Sequence, residues 1–109
     1  MFSRKNRIPR EVLEGIIKQS KSLGGDFFNL KYSENNLCFP RFSVIVAKKA
    51  CPSSVGRHLL KRRYSSLIKN SLEAFSQKDY VFFLKKESVN KDFREIKTYF
   101  KSFIEKNSL

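Results

Sequence analysis

The stretch RFSVIVAKKACPSSVGRHLLKRR, residues 41–63, decides how the rest of the chain is read. Its first part, Arg41 to Ala47, contains the β-branched run Val44-Ile45-Val46, which favours an extended, half-buried strand. Pro52-Ser53-Ser54 then supplies a helix start, because a serine can cap the free N–H groups and proline is tolerated at a helix entrance. From Val55 onward, Leu59, Leu60, Tyr64, Leu67, Ile68, Leu72 and Phe75 recur at one-, three- and four-residue steps, predicting a long amphipathic helix. Its other side carries Arg57, His58, Lys61, Arg62, Ser65 and Lys69 at i,i+3 and i,i+4 relations. Burial of the apolar stripe therefore turns a cationic strip toward solvent.

The sign of that strip is its most informative property. Seven Lys or Arg and no Asp or Glu lie between Arg41 and Arg63, and eight Lys or Arg without an acid lie between Asn35 and Leu72. A charge run on a helix is often only a solvated face, but ordinary solvated faces mix signs and gain i,i+4 pairs. This one forgoes those pairs and adds repulsion, which a polyanionic partner would offset. The formal net charge of +13 on 109 residues makes the same point for the whole chain, and RNA or DNA is the leading partner. Phe27, Phe28 and Tyr32 could stack on unpaired bases, although aromatic residues at such spacing more often belong to a core.

Working outward, residues 1 to 7 are basic and polar, and Val12, Leu13, Ile16 and Ile17 predict a helix from Pro9 to about Ser20. Gly24-Gly25 breaks the chain. Phe27 to Tyr32 alternates, with Phe28, Leu30 and Tyr32 on one face and Phe27, Asn29 and Lys31 on the other. The polar turn Ser33-Glu34-Asn35-Asn36 then predicts an antiparallel hairpin into the strand Arg41 to Ala47. Tyr80 to Leu84 is apolar throughout, as expected for a central strand buried on both faces. Asn90 can cap a last helix with the stripe Phe93, Ile96, Phe100, Phe103 and Ile104. The result is a single α/β domain over residues 1–109, α+β in two layers, in the order α-β-β-α-β-α. A chain of this length buries roughly two-thirds of its unfolded surface, and its eleven Phe and four Tyr exclude a disordered basic tail.

Other classes find little support. Cys38 and Cys51 lack a CxxC spacing and cannot complete a zinc site with the lone His58, so both read as buried free thiols, with no metal site. No apolar run approaches the ~20 residues of a membrane span, which points to a cytoplasmic protein. No nucleophile and base, metal cluster or carboxylate pair stands out as catalytic. Asp26 and Asp79 fall at strand starts, where solvated or turn-capping roles are ordinary. A stand-alone nuclease would need Asp26, Glu34 or Asp79 to gather around Mg²⁺.

Arg41-Phe42-Ser43-Val44-Ile45-Val46-Ala47-Lys48-Lys49, followed by Ser54-Val55-Gly56-Arg57-His58-Leu59-Leu60-Lys61-Arg62, resembles the signature of the bacterial ribonuclease P protein subunit. That signature runs R-x-x-x-x-V-S-K-K and then A-V-x-R-N-R-x-K-R. The F-x-L-x-Y strand at Phe28, Leu30 and Tyr32 and the D-Y-V strand at Asp79, Tyr80 and Val81 extend the resemblance over nearly the whole chain. It implies a ribosomal-protein-S5-domain-2-like fold around a small mixed sheet, with an unusual left-handed crossover.

The resemblance also implies a ribonuclease P endoribonuclease holoenzyme in which this chain binds the catalytic ribonuclease P RNA. The RNA and mainly RNA-bound Mg²⁺ would remove the 5′ leader from precursor tRNA. Carried over by position, Arg41, Lys48, Lys49, Arg57, His58, Lys61, Arg62 and Ser65 are the expected RNA contacts, with no catalytic residue on the protein. Leu13, Ile17, Phe28, Leu30 and Tyr32 are the expected leader contacts. His58 and Leu59 stand where the pattern has Asn and Arg, and Cys51-Pro52-Ser53 replaces a small polar or Gly approach to the helix. The alternative from charge alone is a general RNA-binding or ribosome-associated protein without a processing role.

Overall fold

Tyr80, Val81 and Phe82 have no solvent-accessible side chain, as a strand apolar on both faces requires. The computed structural model, which describes residues 2–107, places them in the middle of a four-stranded sheet. The helices are α1 (Arg10–Gln19), α2 (Ser54–Lys69) and α3 (Phe93–Asn107). The strands are β1 (Lys21–Leu23), β2 (Phe28–Glu34), β3 (Arg41–Val46) and β4 (Lys78–Leu84), in the spatial order β1-β2-β4-β3. The helix–strand order expected from sequence holds, with β1 added.

The predicted hairpin between β2 and β3 does not form. Both strands pair with β4, β2 antiparallel and β3 parallel, so β4 lies between them. The buried Asp79 carboxylate, on the second residue of β4, accounts for this insertion. It accepts from Arg41 Nε at 2.8 Å and Nη2 at 2.7 Å on the β3 side, and from Asn35 Nδ2 at 3.0 Å on the β2 side. Asn35 also accepts from Leu37 N–H at 2.9 Å, shaping the chain that crosses the end of β4. Asp79 is thus a 2% exposed anchor rather than a solvated strand start, which corrects the sequence expectation.

The hairpin that does form joins β1 to β2, pairing Lys21 with Tyr32 and Leu23 with Leu30. Three residues are too few to show a period, so β1 escapes a sequence reading. Gly24-Gly25 is its turn. A Cβ at Gly25 would collide with the Tyr99 hydroxyl and the Phe28 carbonyl, so the close approach requires glycine there.

One sheet face carries Phe28, Leu30, Phe42, Tyr80, Phe82 and Leu84 and is covered by Tyr64 and Ile68 of α2 and Ile96, Phe100 and Phe103 of α3. Phe28 packs edge-on to Phe103 at 4.7 Å and to Phe82 at 5.2 Å between ring centroids. The opposite face presents Asn29, Lys31, Ser43, Ile45, Val81 and Phe83. There α1 lies against β2, and Val81 is sealed from solvent.

Ser53 caps α2 by accepting from Gly56 N–H at 3.1 Å, as its sequence predicts. The apolar stripe is only partly buried, however: Leu60, Tyr64, Leu67 and Ile68 face the core, whereas Val55 and Leu59 stay exposed. Asp92, not Asn90, caps α3, accepting from Glu95 N–H at 2.9 Å. Phe93, immediately after that cap, remains exposed. Cys51 is buried, but Cys38 is exposed in the β2–β3 connection, correcting the expectation of two buried thiols.

Candidate nucleic-acid interface

The basic residues sort into three environments that helical periodicity alone does not separate. Arg41 is spent on Asp79: the bidentate pair lies largely out of solvent, and hydrogen bonding to the carboxylate raises the guanidinium pKa above its ordinary value. That pairing gives Arg41 a structural role, while its side chain stays 19% exposed. Ser65 is 2% exposed on the flank of α2, beside Lys61 in the lining of the groove described next.

The second environment is a groove of about 780 Å³ along the outer edge of β3. The chain before α1 docks on that edge, with Ile8 N–H donating to the Phe42 carbonyl at 3.1 Å and Asn6 Nδ2 donating to the Pro40 carbonyl at 2.8 Å. This docking brings Arg4, Arg7 and Arg10 to one wall and Lys61 of α2 to the other, over an apolar floor that includes Ile8, Leu13 and Ile45. Glu11 is the acid in its lining. In sequence, residues 1–7 read only as basic and polar; in the structure, the buried Asn6 and Ile8 fix this segment.

The third environment is the outer ridge of α2 with the turn that feeds it. Lys48 and Lys49 are exposed in that turn, and His58, Arg62 and Lys69 are exposed on the helix. Arg57 is half-buried because Nη1 donates to the carbonyls of Cys51 at 3.0 Å and Pro52 at 2.8 Å. It fixes the approach to α2 while adding its charge to the field. The approach is tight: a Cβ on Gly56 would lie 2.9 Å from Cys51 Sγ. Among the described residues, ion pairs join Glu14 to Lys18, Asp79 to Arg41 and Glu34 to Lys78. None engages Arg4, Arg7, Arg10, Lys48, Lys49, Lys61 or Arg62, so these cations are available to phosphates.

The expected leader residues divide by face. Phe28 and Leu30 are 0% exposed beneath α2 and α3, so these side chains have no surface to offer an RNA strand and belong to the core. Tyr32 lies on that same face, half-buried, with Lys78 Nζ 5.2 Å from its ring centroid. Leu13 and Ile17 are half-buried on α1, which lies on the other face. The residues of β2 that share their side are Asn29 and Lys31, and Lys31 Nζ sits 6.0 Å from the centre of the Phe83 ring. The alternation of β2 was legible; which parity faces the helices was not.

Asp26, Glu34 and Asp79 do not gather as a stand-alone nuclease would require. Asp26 precedes β2 and Glu34 ends it, a separation of roughly 25 Å along an extended chain, while Asp79 is held by Arg41. Among the described residues no three His, Cys, Asp or Glu gather to hold a metal ion. No helix is long and apolar enough to cross a membrane among the described residues.

Comparison with known proteins agrees with this picture. The chain is 32% identical over 99 residues to a ribonuclease P protein component from Aliivibrio salmonicida, covering 87% of this chain and 85% of that protein. It is 30% identical over 88 residues to one from Vibrio vulnificus, covering 80% and 75%. Its fold is similar to an RNase P protein mutant from Staphylococcus aureus, with a TM-score of 0.85 at 18% identity over 94% of this chain and 87% of that one. The RNase P protein from Thermotoga maritima gives 0.82 at 20% identity over 92% and 96%. A family model described as Ribonuclease P matches residues 2–108, and the chain belongs to the ribonuclease P protein family.

Proposed function

We propose that this chain is the protein subunit of a bacterial ribonuclease P, binding the ribonuclease P RNA and assisting endonucleolytic maturation of tRNA 5′ ends in the cytoplasm. The observation that carries the proposal is the set of unpaired cations on a rigid frame: Lys48, Lys49 and Arg62 outward, and Arg4, Arg7, Arg10 and Lys61 around the β3 groove. Each exposed cation that neutralises a phosphate releases condensed counterions, which supplies affinity for any RNA. The fixed turn at Cys51–Ser53 and the docked N-terminal segment give those charges a defined spacing. Discrimination follows from matching that spacing to a folded RNA.

The precursor tRNA leader, an unpaired strand, fits the sheet face opposite α2 and α3. Lys31 can meet its phosphates there, while Phe83, Ile45, Leu13 and Ile17 offer apolar surface to its bases. This reading keeps Leu13 and Ile17 from the sequence-based set and replaces Phe28, Leu30 and Tyr32 by Asn29, Lys31 and Phe83. The hydrolytic step belongs to the RNA with its own Mg²⁺, and the protein holds RNA and substrate in register.

The test is precursor-tRNA cleavage by a bacterial ribonuclease P RNA at low Mg²⁺, with and without the protein, scoring the product 5′ end. Stimulated cleavage at the mature 5′ end supports the subunit role. Equal affinity for that RNA and for random RNA of the same length, without stimulation, would instead make this a general RNA-binding protein.

A further inference from the structure

Val55 and Leu59 are 77% and 45% exposed on α2. They lie one helical turn apart and share the outer ridge with Arg62, Ser66 and Lys69, with His58 beside them. Val55 is mostly uncovered, and Leu59 keeps nearly half of its surface open. Leu59 stands where the resemblance places the second arginine of the R-N-R core, so this chain presents an apolar side chain at a point expected to carry charge.

The surroundings restrict what can cover the pair. The ridge carries only positive charge, and the sequence from Asn35 to Leu72 contains no acid. Its occupant must be anionic yet offer an apolar face between its charges. An RNA nucleotide out of its stack meets both demands: the base presents a flat apolar face, and phosphates flank it on either side. Leucine-sized side chains act in this way where nucleic-acid-binding proteins wedge apolar groups against bases.

We infer that Val55 and Leu59 form an apolar seat for an unstacked nucleobase of the ribonuclease P RNA, with Arg62 on a neighbouring phosphate. The inference rests on the function proposed above. It specifies a contact whose strength is insensitive to salt, set inside an interface whose remainder is salt-dependent.

The test is affinity for ribonuclease P RNA over a range of salt concentrations, using the full chain and the variants Val55→Ala/Leu59→Ala, Leu59→Gln and Arg62→Ala. The expected result is a loss of about fivefold or more for the double variant and for Leu59→Gln, with an unchanged slope of log K against log salt. Arg62→Ala should lower that slope by about one. Because Val55 and Leu59 are exposed, their variants should melt with the wild type, which separates binding from folding. Chemical probing should show one RNA base protected by wild-type protein and released by the double variant. Wild-type affinity in both apolar variants would overturn the inference and leave the functional proposal standing, as would their affecting only concentration-dependent self-association. If the wild type fails to distinguish ribonuclease P RNA from random RNA, both fall.

Discussion

Replacing Arg41 by alanine separates a structural cation from an RNA-binding one. The side chain makes two charge-assisted hydrogen bonds to Asp79, at 2.8 and 2.7 Å, and the carboxylate is 2% exposed while Arg41 is 19% exposed. Removing one member of a buried pair costs about 3–5 kcal/mol, because the other charge stays desolvated. Asn35 remains to donate one hydrogen bond at 3.0 Å, which places the cost near the lower end, about 3 kcal/mol. For a domain of this size that corresponds to a fall in Tm of roughly 12–15 °C, readable by circular dichroism. RNA binding, measured well below the variant's Tm, should keep the wild-type salt slope because Arg41 Nε and Nη2 are already engaged by Asp79. Lys48→Ala, in contrast, should keep the wild-type Tm and lower the slope by about one. A Tm within about 4 °C of wild type for Arg41→Ala, or a slope lowered by one, would refute the reasoning.

Lys31→Ala should weaken binding of leader-bearing precursor tRNA to the assembled holoenzyme while sparing leaderless tRNA, whereas Phe28→Ala should cost about 3–5 kcal/mol of stability in urea unfolding; equal and purely structural effects would return the leader to another surface. Gly25→Ala should cost about 1–3 kcal/mol, read from the urea midpoint, because the added Cβ meets the Phe28 carbonyl at 2.7 Å. Burial pushes the Tyr64 hydroxyl up to about 12, and burial raises Tyr80 in the same direction. An acid whose folded pKa is raised stabilises the fold fully below its unfolded value of about 10 and loses that contribution as pH climbs to 12. Urea unfolding should therefore show an alkaline decline of about 2–3 kcal/mol between pH 10 and 12, diminished in Tyr64→Phe; a decline unaltered by that substitution would contradict it.

The helices were legible because their signals are local, although α2 ends at Lys69, short of Leu72 and Phe75, and α3 takes its cap from Asp92 rather than Asn90. Leu60, Tyr64, Leu67 and Ile68 repeat at the helical period, and Ser53 lies where its side chain can cap the first turn. The central position of β4 was equally legible, since Tyr80, Val81 and Phe82 leave no polar face for water. The charge field was explicit in the absence of acids between Asn35 and Leu72, and it pointed to a polyanion before any element was placed.

Only the tertiary structure decided which strand pairs with which. The Ser33–Asn36 turn favours a local hairpin, but Asp79 can be satisfied from Asn35 and Arg41 together only when β4 enters between β2 and β3, and this long-range network overrides the turn. The same insertion fixes the parity of β2, sending Phe28 and Leu30 into the core and leaving Asn29 and Lys31 on the face with α1. It also decides the fate of individual cations, since Arg41 and Lys61 carry the same charge in sequence yet one neutralises a buried acid and the other lines a groove. Period and charge are properties of neighbours along the chain and can be read from it. Pairing, parity and burial depend on residues some forty positions apart, whose meeting is set by which desolvated groups must find partners.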